Sequence, residues 1–291
     1  MARMKTLALL RPSLLALLAV AILPVAAAAA PAAADAPAAL TPPASGKINV
    51  AFLVSDEAVV IDFAGPWAVF EQARGDHFAL YTVATTRKPI RASSGLSVVP
   101  DYTLATAPKP NVIVIPAQSD HSPAVLAWIR KQSAGADVTM SVCAGAYLLA
   151  ATGLLDGKAA TTFHGAFADF ARNFPRVELR RGARFVEEGH LATAGGLSSG
   201  IDLALRVVER YFGRAFAEQT AYDLEYQGKG WLDANANSIY AVAAAGPVDP
   251  VCGMSVDPKT SPSSQYRGKT YYFCSTREKE AFDQQPAHFI H

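Results

Sequence analysis

Cys143 stands between the apolar run VTMSV and the small residues AGA, within DVTMSVCAGAYLLAAT at residues 137–152. The pattern reads as a strand that ends at the cysteine and a helix that begins just after it. Ser141, Cys143 and Gly145 form S-x-C-x-G, the spacing of a nucleophile elbow. Helix N–H groups at such a turn face the sulfur, lower the thiol's pKa and supply donors for a developing oxyanion, so an acidified nucleophile is expected. Asp62 lies after the first apolar run and just before Gly65-Pro66. A carboxyl group there can orient a water or take the thiol's proton, or it can cap the helix.

The other two cysteines, Cys252 and Cys274, lie in the last 45 residues. Each stands alone, which excludes a pair of C-x-x-C zinc knuckles. A disulfide with each other is open to them if the compartment is oxidising. Cys143 is the one left over.

The elements that must position Cys143 follow from the order of apolar runs. KINVAFLVS, FALYTVATT and NVIVIPA read as buried strands, with SGLSVVPDYTL extended between the last two. Gly65-Pro66 is expected to open a helix over WAVFEQAR, and Ser122-Pro123 to cap another. After the cysteine turn come AATTF, the helix GAFADFARNF, the strands RFVEEG and HLATAGG, and an amphipathic helix carrying Ile201, Leu205, Val208 and Phe212. Strands separated by crossover helices predict an α/β fold with a mostly parallel sheet covered on both faces, and ligands at the carboxyl ends of its strands. The first strand of such a sheet lies centrally, so the Asp62 loop can face the cysteine turn.

The 291-residue chain is 51% hydrophobic and 18% charged, enough for a large domain and a small one, each with a core. Its formal net charge is +1, but Arg3, Lys5 and Arg11 lie in a leader and Asp35 just after it; without those four, 23 basic residues face 24 acidic ones. With no block of like charges, nucleic acid and anionic membranes are not expected partners. Residues 1–34 combine basic residues, an interrupted apolar run and A-x-A sites, the pattern of a Sec-type signal peptide, so a periplasmic or secreted protein with no stable membrane span after cleavage is expected. Residues 35–46 read as an Ala/Pro-rich linker, 47–227 as the sheet domain, 228–247 as a connector and 248–291 as a small aromatic, turn-rich domain.

The segments DFAGPWAVF (62–70), SVCAGAYLLAATGLLDGKAATTFHGAF (141–167), Phe174-Pro175 and RFVEEGHLATAGGLSSGIDLALRVVERYFG (184–213) closely resemble the ThiJ/PfpI superfamily, nearest its isonitrile hydratases. The resemblance implies a class I glutamine amidotransferase-like, flavodoxin-like three-layer sandwich and a homodimer. It implies that Cys143 is the nucleophile and Asp62 the acid/base, and that Gly65 and the Ala144 N–H border an anion pocket. A small-molecule substrate follows. Ala144 replaces the residue that pairs with the cysteine in protease-like members, which disfavours a peptidase, and Ala68 replaces a glutamate. His164 stands where relatives carry a His pair, with two roles open to it, a base near the thiol or a helix start. The superfamily also holds redox-sensing members, so a non-enzymatic sensor or metal handler is the alternative.

Residues 249–291, with D-P-V-C-G-M and Y-x-G-K-x-Y-Y-F-C-S, resemble the YHS domain, a small α+β module of metal-handling proteins. That implies a soft metal ion such as copper or zinc on Cys252 and Cys274, completed by Met254, His288, His291, substrate or water.

Overall fold

A computed structural model of the chain describes residues 38–241, 247–251 and 256–290, without the side chain of His288. The expected signal peptide therefore lies outside the described residues. A seven-stranded sheet is built from β1 (Ile48–Leu53), β2 (Phe78–Ala84), β3 (Tyr102–Thr103), β4 (Val112–Ile115), β5 (Val138–Val142), β6 (Phe185–Glu188) and β7 (Leu191–Ala194). Its order is β6-β7-β5-β4-β1-β2-β3, with β6 antiparallel to β7 and every other neighbour parallel. The central strands β1, β4 and β5 are buried almost throughout, which is why they read as unbroken apolar runs.

Helices cover both faces: α1 (Val60–Gln72), α2 (Pro123–Ser133), α3 (Gly145–Ala151), α4 (Phe167–Asn173), α5 (Ser199–Phe212) and α6 (Arg214–Asp223). One apolar core joins Phe52, Val114, Met140 and Phe70 to Leu205 and Val208 on α5. The other joins Leu53, Ile113 and Ile115 to Ile129 on α2, Leu148 on α3 and Phe170 on α4. The alternation of inward residues along the strands assigns each to one core.

Three sequence readings change. Helix α1 begins at Val60 and holds Pro66 in its interior, so Gly65-Pro66 does not open it. Its first turn instead carries Asp62, an acid at the positive end of the helix, and its first N–H, from Val60, is capped by Ser93 Oγ at 3.1 Å from a distant loop. Of the extended SGLSVVPDYTL, only Ser97–Val98 and β3 pair as strands, and AATTF contributes only Ala159–Ala160, paired with Glu178–Leu179. Ser122 does cap α2, its Oγ accepting from Val125 N at 3.4 Å.

In the C-terminal region, β8 (Ser263–Tyr266) and β9 (Lys269–Tyr272) form an antiparallel hairpin, followed by α7 (Thr276–Gln284) and α8 (Pro286–Phe289). Phe273 and Phe282 are fully buried and pack 5.0 Å apart between ring centres, a core of aromatic rings.

Candidate active site

Cys143 terminates β5 with φ of 58°, in the left-handed region that a side chain rarely adopts. Such a residue costs about 1–3 kcal/mol and persists only where its surroundings hold it. Here both backbone poles are tied. Cys143 N donates to Gly195 O at 2.9 Å, and Cys143 O accepts from Thr162 Oγ1 at 2.9 Å. The next residue but one, Gly145, starts α3 against β4: a Cβ there would lie 2.1 Å from Ile115 O. Only glycine permits this approach, and Gly145→Ala is expected to destabilise the fold by about 3 kcal/mol, read as a lower denaturation midpoint at unchanged m-value.

The Asp62 carboxyl, fully buried in the first turn of α1, faces the thiol. Its Oδ2 accepts from Ala117 N at 3.1 Å, just beyond β4, while Oδ1 has no hydrogen bond of good geometry. The Cys143 thiol interacts with this carboxyl. Burial lifts Asp62 to about 7, against smaller opposing contributions from Ala117 and the thiol. Burial first, and then the Asp62 charge, push the Cys143 thiol up to about 12, with the N–H groups of Leu197 and Ala144 pulling the other way. The expected acidified thiol is thus overturned: the helix-terminal donors are present, but desolvation outweighs them. The pair keeps its thiol protonated at neutral pH while its carboxyl sits midway between acid and base.

The cysteine is 7% exposed, and its neighbour Ala144 lines a cleft of about 400 Å³ with Ala117, Gln118, His121, Tyr147 and Phe163. Glu57 stands at the same cleft and is paired with Arg277 of α7 at 3.2 Å. A larger cavity of about 890 Å³ lies along α6 and residues 225–232, but holds neither Cys143 nor Asp62.

The structure brings together Cys143, Asp62 and Ala144. The other two expected residues have contacts of their own. A Cβ on Gly65 would meet Ile201 at 2.9 Å, so this glycine serves the crossing of α1 and α5. His164 opens a 3₁₀ turn, its ring stacked on Tyr240 at 4.4 Å and packed on Phe163, and burial lowers its pKa. Residues missed in the sequence are Leu197, whose N–H reaches the sulfur, Thr162 and Ala117. The only signal for Leu197 was the run GGLSSG, which permits its left-handed φ of 47°.

In the small domain, Cys252 and Met254 lie outside the described residues, as do His291 and the side chain of His288. Cys274 is described, and its company is carboxylate: Sγ lies 2.5 Å from Glu278 Oε2, and its N–H donates to Asp249 Oδ2 at 2.7 Å. One donor atom each from Asp249, Cys274 and Glu278 lies within 4.8 Å of the others. Neither carboxylate is among the ligands expected from the sequence, which were Cys252, Met254 and His288 beside Cys274. Both also have local roles: Ser275 Oγ, the cap of α7, accepts from Glu278 N at 3.3 Å, and Asp249 Oδ1 accepts from Val251 N at 2.8 Å.

The DJ-1/PfpI family profile matches residues 48–210, and the YHS domain profile matches residues 248–291. The chain is 32% identical over 184 residues to the isonitrile hydratase of Pseudomonas putida, covering 62% of this chain and 78% of that one. Among solved structures, a ThiJ/PfpI family protein from Pseudomonas syringae superposes with a TM-score of 0.58 at 29% identity, over 63% of this chain and 77% of that one. Drosophila melanogaster DJ-1beta shares the fold, with a TM-score of 0.55 at 19% identity over 62% and 98%.

Proposed function

Because the chain belongs to the DJ-1/PfpI family and ends in a YHS domain, we propose that it is an exported hydratase that adds water to the terminal carbon of a small isonitrile. The observation that carries this reading is the buried Asp62–Cys143 pair, with one carboxyl oxygen left for the thiol's proton and a carboxyl lifted to about 7.

An isonitrile carbon must gain a proton and a nucleophile together, and a group half protonated near neutrality can supply the one and accept the other's proton. The Asp62 carboxylic acid gives its proton to the terminal carbon as Cys143 Sγ bonds to it, and the thiol's proton returns to Asp62. The product is a thioimidate, R–N=CH–S–Cys143. Asp62 then gives its proton to the thioimidate nitrogen and takes one from the water whose oxygen bonds to that carbon. As the C–S bond breaks, the proton of the new hydroxyl passes to Sγ, leaving the N-substituted formamide R–NH–CHO and Asp62 protonated as at the start. The N–H groups of Ala144 and Leu197 stabilise negative charge on sulfur in both steps. The cleft of about 400 Å³ suits a substrate of modest size. Incubation with an alkyl isonitrile should give the formamide, followed by mass spectrometry; no turnover with a series of alkyl and aryl isonitriles sinks the reading.

A redox sensor fits the site less well. Sensor thiols are accessible and ionised, whereas this one is 7% exposed and pushed up to about 12.

For the C-terminal domain we propose a resident divalent ion such as zinc, held by Asp249, Cys274 and Glu278. A donor set of one thiolate and two carboxylates fits a borderline ion better than copper(I), which favours thioether and thiolate. Such an ion would act as a local charge on the module, and no step at Cys143 depends on it. Reduced protein is expected to retain about one zinc per chain after gel filtration, by elemental analysis. Cys274→Ser should lose most of it without changing the alkylation rate of Cys143; zinc retained in full by that variant rejects the ligand set.

A further inference from the structure

Leu197, whose N–H favours the ionised Cys143 thiol, sits with a left-handed backbone in a loop with no helix or strand of its own, Gly195 to Ser198. One residue ties that loop through both its side chain and its backbone. Arg184, just before β6 and 15% exposed, donates to Ser198 Oγ at 3.0 Å through Nη2, to Asn237 Oδ1 at 3.1 Å through Nη1, and to Asp202 Oδ2 at 2.6 Å through Nε. Its own carbonyl accepts from Gly195 N at 2.9 Å, and Gly195 O in turn accepts from Cys143 N at 2.9 Å. The guanidinium thus reaches the loop from one side and its backbone from the other.

The segment after α6 closes over this arginine. Asn237 also donates to Ser199 Oγ at 3.3 Å, Ala234 O accepts from Arg184 N at 2.6 Å, and Tyr226 OH donates to Asp202 Oδ1 at 3.2 Å. Gly230 lies so close that a Cβ would stand 2.6 Å from Asp202 Oδ2 and 2.8 Å from Arg184 Nε. A bare connector has no reason to make these contacts. A planar fork with five fixed donors suits a junction of three acceptors in a way a lysine does not.

We propose that Arg184 is a positioning residue for the reaction at Cys143, with Asn237 as its lock: together they hold the Leu197 N–H on the sulfur. This rests on the reading of Cys143 as the nucleophile. The geometry is therefore tested on the thiol itself, in the full chain, with iodoacetamide as the probe. Arg184→Gln is expected to slow alkylation of Cys143 about tenfold and to move its pH midpoint upward, since a thiolate donor is lost. Asn237→Ala, a milder change, should move both in the same direction by less, and Arg184→Lys should recover part of the rate. Folding is followed in parallel by thermal melting. If the variants melt lower but alkylate with wild-type rate and midpoint, the residues are structural only and the proposal falls. If Cys143 of the wild type does not react at all, the nucleophile reading falls and takes this one with it.

Discussion

Cys143→Ala is expected to lower kcat/KM for isonitrile hydration by at least about 10⁴-fold, because removal of a nucleophile abolishes the covalent route and leaves only binding and polarisation by the remaining groups. The substitution is a clean test, because what holds the elbow is main chain. Cys143 N still reaches Gly195 O and Cys143 O still takes the Thr162 hydroxyl, so the left-handed turn survives the loss of sulfur. Alanine in that turn is strained no more than cysteine, and the melting temperature should stay within a few degrees of wild type. Cys143→Ser should be nearly as inactive, since a hydroxyl is a far weaker nucleophile without a strong base. Residual turnover within tenfold of wild type in either variant would mean that water activated by Asp62 attacks the isonitrile carbon directly and that the thiol is a bystander.

The second large effect runs in two directions at once. Asp62→Asn removes the proton relay, and hydration should fall by about 10² to 10⁴-fold. The same change should stabilise the fold at alkaline pH. The folded carboxyl titrates at about 7 because of burial, against roughly 4 in the unfolded chain. Between those values the folded state holds a proton that the unfolded state has lost. The stability this group contributes is therefore complete below about pH 4 and is lost as the pH rises through about 7, where the folded chain must carry a buried negative charge. Over about three pKa units the difference is up to about 4 kcal/mol. Asp62→Asn should accordingly melt above wild type at pH 8, and the gap should close by pH 4. Its thiol should also titrate lower, since the Asp62 charge is one of the causes that raise it. An inactive variant with a more acidic thiol and a higher melting point is the signature of a functional group kept at a cost in stability. A variant that melts lower at every pH would show Asp62 to be a structural hydrogen-bond acceptor.

The division between what was legible in the sequence and what was not follows the range of the interactions. Strands β1, β4 and β5 announced themselves because burial on both faces leaves continuous apolar runs, and the elbow did so because Ser141, Cys143 and Gly145 are close in sequence. The approach of Asp62 to Cys143 was legible through topology, since β1 and β5 flank β4. The thiol's ionisation was not, because helix donors are a local signal while desolvation depends on everything packed around the site. The start of α1 was misplaced because Gly-Pro is a local signal and the true cap, Ser93, is 33 residues away. Arg184 and Asn237 were invisible for the same reason: they lie 53 residues apart, and nothing in their immediate neighbours marks them. In the small domain, Glu278 and Asp249 were hidden behind ordinary local uses, a helix cap and a turn, that do not exclude a second role.

The boundary between the two halves of the chain also changes its meaning. A cut after residue 227 follows the composition, and it would strip away Gly230, Ala234 and Asn237, which cover Arg184 and Asp202. A gene fragment ending there would encode every strand of the sheet and both members of the Asp62–Cys143 pair, yet leave a buried ion pair open to water. Any exchange of the C-terminal domain for another, in the laboratory or in evolution, must therefore be made beyond residue 241, so that the sheet keeps the piece of tail it has taken as its own.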